Sequence, residues 1–358
     1  MAVNMLRYTF VLVMLVSSVV CAQTTWVVDD DGPADFATIQ EAVDSSTDGD
    51  EIRVQPGLYA EKVNFRGRAV LLTGTNPEDA DVVAQTVIAP GGDYGVTFDF
   101  GETGASLLKG LTIRGGGIKC QAASPTITQC VIEDCSSAGI TGSSNARPSI
   151  LNCVIRRCEG RGISDCDGAI IGNSITYSGG GLFECDGPIT DNIISHNYNA
   201  SPGFGGGLYV CDGTIAGNVI SDNGSQQNGG ALYRCNGDII RNVIVGNRTQ
   251  WEGGGLWNCG GTIRGNIIAG NRSYYGAGLH SCDGTIRNNT IVGNRAETGA
   301  GLRFCLGVVK NNIIAFNEAS EFGGIHGVTN SSYNTYWDNA GGNLGGGATT
   351  GVGDIQRD

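Results

Sequence analysis

Charge is scarce in this sequence: Asp, Glu, Lys and Arg make up 16% of 358 residues, and proline occurs 8 times. A highly charged disordered chain is thereby excluded. Basic residues are outnumbered 22 to 35, for a net charge of −13, which argues against nucleic acid or an anionic membrane surface as partner because both reward basic patches. Neutral partners fit best, and a highly acidic polymer fits only with a local basic patch or a bridging cation. No CxxC pair occurs among the 13 cysteines, and the 3 histidines (His196, His280, His326) are too scattered to complete a metal motif. Beyond the first two dozen residues no apolar run is long enough to span a bilayer.

What the chain has in plenty is glycine, 59 residues. The glycines rule out a helical bundle, and collagen is excluded because they cluster once per repeat and not at every third position. The repeat is plainest from Gly205 to Asn223, GGGLYVCDGTIAGNVISDN, and it returns from Gly229, Gly253, Gly276 and Gly299. Its cysteines, Cys211, Cys235, Cys259, Cys282 and Cys305, are 24, 24, 23 and 23 residues apart. One asparagine follows each cysteine by seven residues (Asn218, Asn242, Asn266, Asn289, Asn312) and another comes five later (Asn223, Asn247, Asn271, Asn294, Asn317). Self-similarity at such a period marks a solenoid.

Within one rung the same short phrase, apolar residue, two variable residues, corner residue, occurs three times: Leu208 to Cys211, Ile215 to Asn218 and Ile220 to Asn223. Runs this short are strands, and three of them with a glycine-rich return close a three-sided coil whose rungs stack in parallel about 4.8 Å apart. Asparagine at a corner tolerates left-handed backbone and can bond amide to amide along its column. Cys130 and Cys153 align with the first asparagine column, and Cys135 and Cys158 with the second, so these columns read mainly as packing positions.

The expected organisation is a signal peptide over 1–22, an amino-terminal cap with first coils over 23–95, the repeat array over 96–339 and a glycine-rich tail over 340–358. Arg7, the apolar run Tyr8 to Val20 and Val20-Cys21-Ala22 form the secretory signal, so the mature protein is expected outside the cell, at its surface or in the periplasm. Lipidation at Cys21 is the weaker reading, with bulky Val20 before it. Thr38 and Glu41 form a capping box for a short helix from Ile39 to about Ser45, placed to cover the apolar end of the stack. No capping element can be discerned after Asn339, so the fold is expected to continue beyond the tail.

The three-sided pattern resembles the right-handed parallel β-helix of the pectin-lyase-like superfamily, from Trp26 to Asn339. DFATIQEAVDSSTDGDEIRVQPGLYAEKV is similar to the opening of many exported bacterial β-helix proteins and of pectin methylesterases. The resemblance implies an all-β, single-stranded, three-sheet solenoid with a short capping helix. It does not imply one reaction, since the superfamily holds lyases, hydrolases, esterases, epimerases and non-catalytic surface proteins. The paired aspartates and arginine of pectate lyases, the NTD, DD and GHG set of polygalacturonases and the DFIFG run of pectin methylesterases are not found.

Several columns are candidates for more than packing. The cysteine column (Cys120, Cys166, Cys185 and the five above) reads as a buried stack, with Cys130–Cys153 and Cys135–Cys158 as the pairs to examine for disulfides. The sequons at Asn223, Asn247 and Asn271 read as accidents of the repeat. Asp167, Asp186, Asp212 and Asp283 follow the cysteines in CDG turns, where calcium is conceivable but ordinary turn chemistry suffices, and no cofactor is expected. The residue after each inward leucine or isoleucine should face outward. Its column reads Lys119, Thr141, Ser164, Phe183, Tyr209, Tyr233, Trp257, His280, Arg303, His326, with Phe204, Trp251, Tyr274 and Tyr275 on the return beside it. Such a stripe offers flat faces for sugar rings, so Phe183, Tyr209, Tyr233, Trp257, His280, Arg303, Trp251 and Tyr274 are the candidate binding residues. For catalysis Glu184, His280 and Arg303 lead a set that includes Glu252, Arg234, His326 and Asp165. The first expectation is an exported protein that binds extracellular or cell-surface polysaccharide. The alternatives are a lyase or glycoside hydrolase on the same face, and a structural surface protein or adhesin.

Overall fold

In a computed structural model that describes residues 23–92, 94–200 and 203–357, the chain is an all-β parallel solenoid. The segment read as a signal, with Cys21, lies outside the described residues. Three sheets run its length. Sheet A extends over 14 strands from Thr25–Val28 to Ser331–Ser332, sheet B over 14 from Gly57–Tyr59 to Ile355–Arg357, and sheet C over 13 from Val63–Asn64 to Leu344–Gly345. One rung passes through C at Leu208–Tyr209, A at Ile215–Ala216 and B at Val219–Ser221. The return adds a short sheet D of three strands, Tyr198–Asn199, Gly224–Ser225 and Arg248–Thr249. Every pairing among the strands is parallel, Leu208 on Leu232 and Ile215 on Ile239, and the register slips by one residue between Gly117 and Ile118, where Gly117–Gln121 meets Tyr94–Phe98.

The corners differ from expectation in one respect. Left-handed backbone belongs to the residue before each asparagine or cysteine: Asp191 (φ 56), Arg241 (φ 52) and Asn288 (φ 57) before the first asparagine, Asp222 (φ 54) and Phe316 (φ 55) before the second, Val210 (φ 48) and Arg234 (φ 52) before the cysteine. That residue makes the bend, and the next side chain then points inward. The asparagine is thus free to act as a buried bonding group. Asn242 Nδ2 donates to the Ile215 carbonyl (2.9 Å) and to Asn266 Oδ1 (3.1 Å), while its own Oδ1 accepts from the backbone N–H (2.9 Å) and Nδ2 (3.0 Å) of Asn218. The same four bonds recur up both columns, so they are hydrogen-bond ladders as well as packing positions. Asn223, Asn247 and Asn271 are wholly buried within the second ladder, where no glycan can reach them.

Isoleucine, leucine and valine fill the interior with the cysteines. All twelve described cysteines are free and buried, and most thiols donate to the carbonyl two residues back, as Cys211 does to Tyr209 (3.4 Å). Cys120 departs from its expected place: it pairs with Gly142 of the next rung, one position short of the corner. The Asp column accepts backbone N–H groups from the rung above, Asp212 N to Asp186 Oδ1 (2.9 Å) and Asn236 N to Asp212 Oδ1 (2.8 Å). Turn bonding therefore engages these side chains.

Helix α1 spans Ile39–Ser45, with Thr38 accepting from Glu41 N and buried Ile39, Ala42 and Val43 closing one end of the core. The N–H groups of Ile39 (2.8 Å) and Gln40 (2.9 Å), at the open start of the helix, are taken by the carboxylate of Glu61 from outside it. A second helix, α2 at Ala80–Gln85, is capped by Asp79; the sequence reading missed it. Residues 340–357 are not a bare tail. Leu344–Gly345 pairs with Ile325–His326, and Ile355–Arg357 with Thr335–Trp337. Asp354 Oδ1 takes the next place in the first ladder, accepting from Asn334 N (2.7 Å). No described helix is long and apolar enough to cross a membrane.

Candidate functional site

The outward column of sheet C is built by register. Phe183 pairs with Tyr209, Tyr209 with Tyr233, Tyr233 with Trp257, Trp257 with His280, His280 with Arg303 and Arg303 with His326. Rung spacing then sets ring spacing. Centroids lie 4.6 Å apart for Phe183–Tyr209, 5.2 Å for Tyr209–Tyr233 and 4.7 Å for Tyr233–Trp257, with planes within 11° of parallel. Arg161 lies over the ring of Phe183 at 3.9 Å, and Phe204 leans on Tyr233 at 4.7 Å. The rings of Tyr209 and Tyr233 thus have neighbours on both faces and turn their edges outward. Tyr233 keeps only 6% of its surface exposed. Trp251 and Tyr274, on the return, differ: they are 55% and 47% exposed and meet edge to face at 6.4 Å.

Beside Trp257 the titratable groups converge. Trp257 Nε1 donates to Glu252 Oε2 (2.9 Å), Glu252 Oε1 lies 3.7 Å from His280 Nε2, and Arg303 Nη1 donates to that same Nε2 (2.9 Å). Guanidinium has no acceptor, so Nε2 must be the unprotonated nitrogen and Nδ1–H donates to Ser281 Oγ (2.9 Å). His280 is 4% exposed and is therefore held as neutral imidazole. Arg303 also lies 4.2 Å over the ring of Tyr275, which meets Tyr274 edge-on at 4.5 Å. A continuous surface thus runs from Trp251 and Tyr274 through Tyr275 to Arg303, His280 and Glu252. Two buried atoms in it, Arg303 Nε and His326 Nδ1, have no hydrogen-bond partner.

Burial, with the charge of Arg303, lowers the pKa of both His280 and His326 below the ordinary 6.5, although Glu252 and Glu321 pull the other way. A histidine depressed in the folded state leaves the unfolded chain binding more protons. Stability is then complete above 6.5 and is lost as pH falls through 6.5 toward the folded pKa. The urea midpoint is expected to drop between pH 7.5 and pH 5.5, and to drop less in a His280→Gln, His326→Gln variant. Equal slopes in the two proteins would place the acid sensitivity elsewhere.

Of the three leading catalytic candidates, His280 and Arg303 are brought together. Glu184 is not: it is an exposed corner residue with φ 49 beside Phe183, four rungs from His280. Glu252 takes its place, because the return folds back over the outward column five residues before Trp257. The legible signal was its place directly before the glycine run Gly253–Gly255, next to Trp251. Ser281 was missed, and only its bond to His280 distinguishes it. The apolar recess by α2, lined by Pro77, Ala80, Val83 and Val154, has one carboxylate, Glu78, which pairs with Lys109 (3.6 Å).

Residues 91–258 match the family model described as right handed beta helix region. Over that stretch the sequence is similar to right-handed β-helix regions, and the parallel solenoid described above extends past it at both ends. A search of curated proteins found no match. Solved structures similar to this β-helix include pectate lyase Pel9A (12% identity, 92% of this chain and 82% of that one, TM-score 0.41). The mannuronan C-5 epimerase AlgE6 A-module of Azotobacter vinelandii gives 14% identity, 89% and 93% coverage and a TM-score of 0.37. The PL6 family polysaccharide lyase Pedsa3628 of Pseudopedobacter saltans gives 13%, 89% and 90%, and 0.30. Identities and scores this low do not carry a reaction from one β-helix to another.

Proposed function

We propose that this β-helix is an exported protein that binds an extracellular or cell-surface polysaccharide where the outer face of sheet C meets the return. The observation that carries the reading is the convergence of Glu252, His280 and Arg303 beside Trp257, next to the open rings of Trp251 and Tyr274. Exposed rings supply apolar faces to sugars, and a carboxylate, an imidazole and a guanidinium supply directional partners for hydroxyls. Arg303 Nε and His326 Nδ1 add unfilled bonding capacity, which buried polar atoms rarely retain. The stacked column from Phe183 to Tyr233 supports this surface from beside it, since its faces are already occupied.

Binding to a panel of immobilised glycans tests the proposal. Trp251→Ala with Tyr274→Ala should weaken it about 30-fold, at roughly 1 kcal/mol per aromatic contact, whereas Phe183→Ala should change it little. Equal binding by the double variant and the parent would sink the site.

A catalytic reading is favoured by one observation, a half-buried guanidinium bonded to a neutral imidazole within 4 Å of a carboxylate. It fits a lyase better than a hydrolase. Glu321, in Glu252's own bridge column, stands three rungs further on, roughly 14 Å away at strand spacing and beyond the separation two hydrolytic carboxylates need. Release of unsaturated products that ceases in Arg303→Lys would establish it.

A further inference from the structure

The net charge of −13 conceals a reversal. Residues 234–310 hold nine Lys and Arg against four Asp and Glu, a local net of +5, leaving −18 for the remainder. The period of the repeat spreads these cations over three faces. Arg234 and Arg303 lie with sheet C. Arg248, Arg272 and Arg295 form a bridged column on the return, whose last member is 3.5 Å from Glu318. The third set lies on sheet A, facing away from the site described above.

There Arg264 pairs in register with Arg287, and Arg287 with Lys310. Arg241 joins them from the rung before: its Cγ lies 3.4 Å from where a side chain on Gly265 would begin, so the missing side chain leaves it room. The three cations are flanked by Thr262, Thr285 and Val308 on one side and by Gly265, Asn288 and Asn311 on the other. The nearest acid along the flanking column, Asp238, sits one rung earlier and accepts from Thr262 N (3.4 Å). None of Arg241, Arg264, Arg287 and Lys310 forms a salt bridge among the described residues.

Like charges opposite one another on adjacent strands destabilise a sheet. Elsewhere the chain neutralises such crowding, as where Arg114, Arg156 and Arg157 all close on Glu133. On sheet A no member of the ladder is compensated in this way, whereas the Arg248, Arg272, Arg295 column on the return has Glu318 at its end, and a bound polyanion would relieve the crowding. We propose that the outer face of sheet A binds a linear acidic glycan, its axis along the solenoid and its anionic groups on Arg264, Arg287 and Lys310. The charge spacing selects the polymer. One cation per rung recurs at about 4.8 Å, which suits a chain with one carboxylate or sulfate per sugar ring. Duplex DNA carries a charge about every 1.7 Å and would run from this band onto acidic rungs that repel it.

The test measures binding of an oligouronate, a sulfated oligosaccharide, a neutral glucan and single-stranded DNA to the whole protein at two salt concentrations. The ladder variant is Arg264→Gln, Arg287→Gln, Lys310→Gln. Binding of the oligouronate or the sulfated chain should fall about tenfold in this variant and fall with added salt in the parent. Preference between those two glycans identifies the anionic group. Undiminished binding of both, or tighter binding of DNA than of either, overturns the proposal. Circular dichroism checks that the solenoid persists, as solvent-facing substitutions on one sheet should allow. The surface is independent of the one proposed around Trp251: the ladder variant should keep any binding that Trp251→Ala, Tyr274→Ala removes, so the two readings fail separately.

Discussion

Asn242→Ala is expected to lower the free energy of unfolding by about 4 kcal/mol, because a buried group left without its partner costs roughly 1–3 kcal/mol and three are orphaned together. These are the backbone N–H of Asn218, one proton of Asn218 Nδ2, and the bond that the Ile215 carbonyl receives. Alanine brings neither donor nor acceptor, and rungs clamped above and below admit water poorly. Since each rung contacts chiefly its neighbours, the damage should divide the array and not weaken it uniformly. Urea unfolding should show a lowered midpoint, and hydrogen exchange should quicken first at Asn218 and at the amides of the adjoining rungs. Asn288→Ala is the control, since Asn288 is exposed and bends the corner without joining the ladder. A cost at Asn242 no greater than at Asn288 would mean that the ladder adds nothing beyond packing.

Gly213→Ala is expected to cost about 3 kcal/mol, the upper range for overpacking. The added Cβ would lie 2.0 Å from the Gly187 carbonyl oxygen and 2.6 Å from that of Asp186. Both are backbone atoms fixed by the rung below, so neither can rotate away. The same clash recurs at Gly187, Gly237, Gly261, Gly284 and Gly307, each with a carbonyl oxygen within 2.1 Å. The CDG glycine is therefore required by the approach of successive rungs, whatever its turn conformation. Gly293 offers the contrast. It has φ 63 but open space around it, in a corner position that Asp222 and Phe316 fill elsewhere at similar φ. Gly293→Asn should change the thermal midpoint little, and a loss there as large as at Gly213 would refute the steric account.

Much of the coil was legible because its period repeats every bond. Leucine, isoleucine and asparagine at fixed offsets place the three sheets, and Thr38 with Ile39 and Val43 places α1 to the residue. Helix α2 was hidden because a helix of six residues has too few turns to show a periodicity. The left-handed corner was assigned one residue late for a physical reason. Composition at that position before the ladder asparagines ranges over Asp, Arg, Gly, Asn and Phe, since the ladder behind it supplies the bonding that elsewhere would demand asparagine or glycine at the bend.

For the candidate site the division is sharper. Alternation along a strand put Phe183, Tyr209, Tyr233 and Trp257 on one outer column, but it could not say that rungs one strand spacing apart close those rings face to face. Nor could it say that Glu252, directly before Gly253–Gly255, reaches Trp257 while Glu184, three residues after Gly179–Gly181, sits at an exposed corner.

By itself, then, the sequence determined the solenoid, its period, its inward and outward columns and the two asparagine ladders, because a parallel stack copies each position onto the next rung. Only the tertiary structure decided which outward groups meet. That depends on how the return folds across sheet C, bringing Glu252 to Trp257 and toward His280, where Arg303 also bonds. It follows from distances between the return and the sheet, which no spacing along the chain encodes, whereas the line of Arg264, Arg287 and Lys310 on sheet A follows from the period itself.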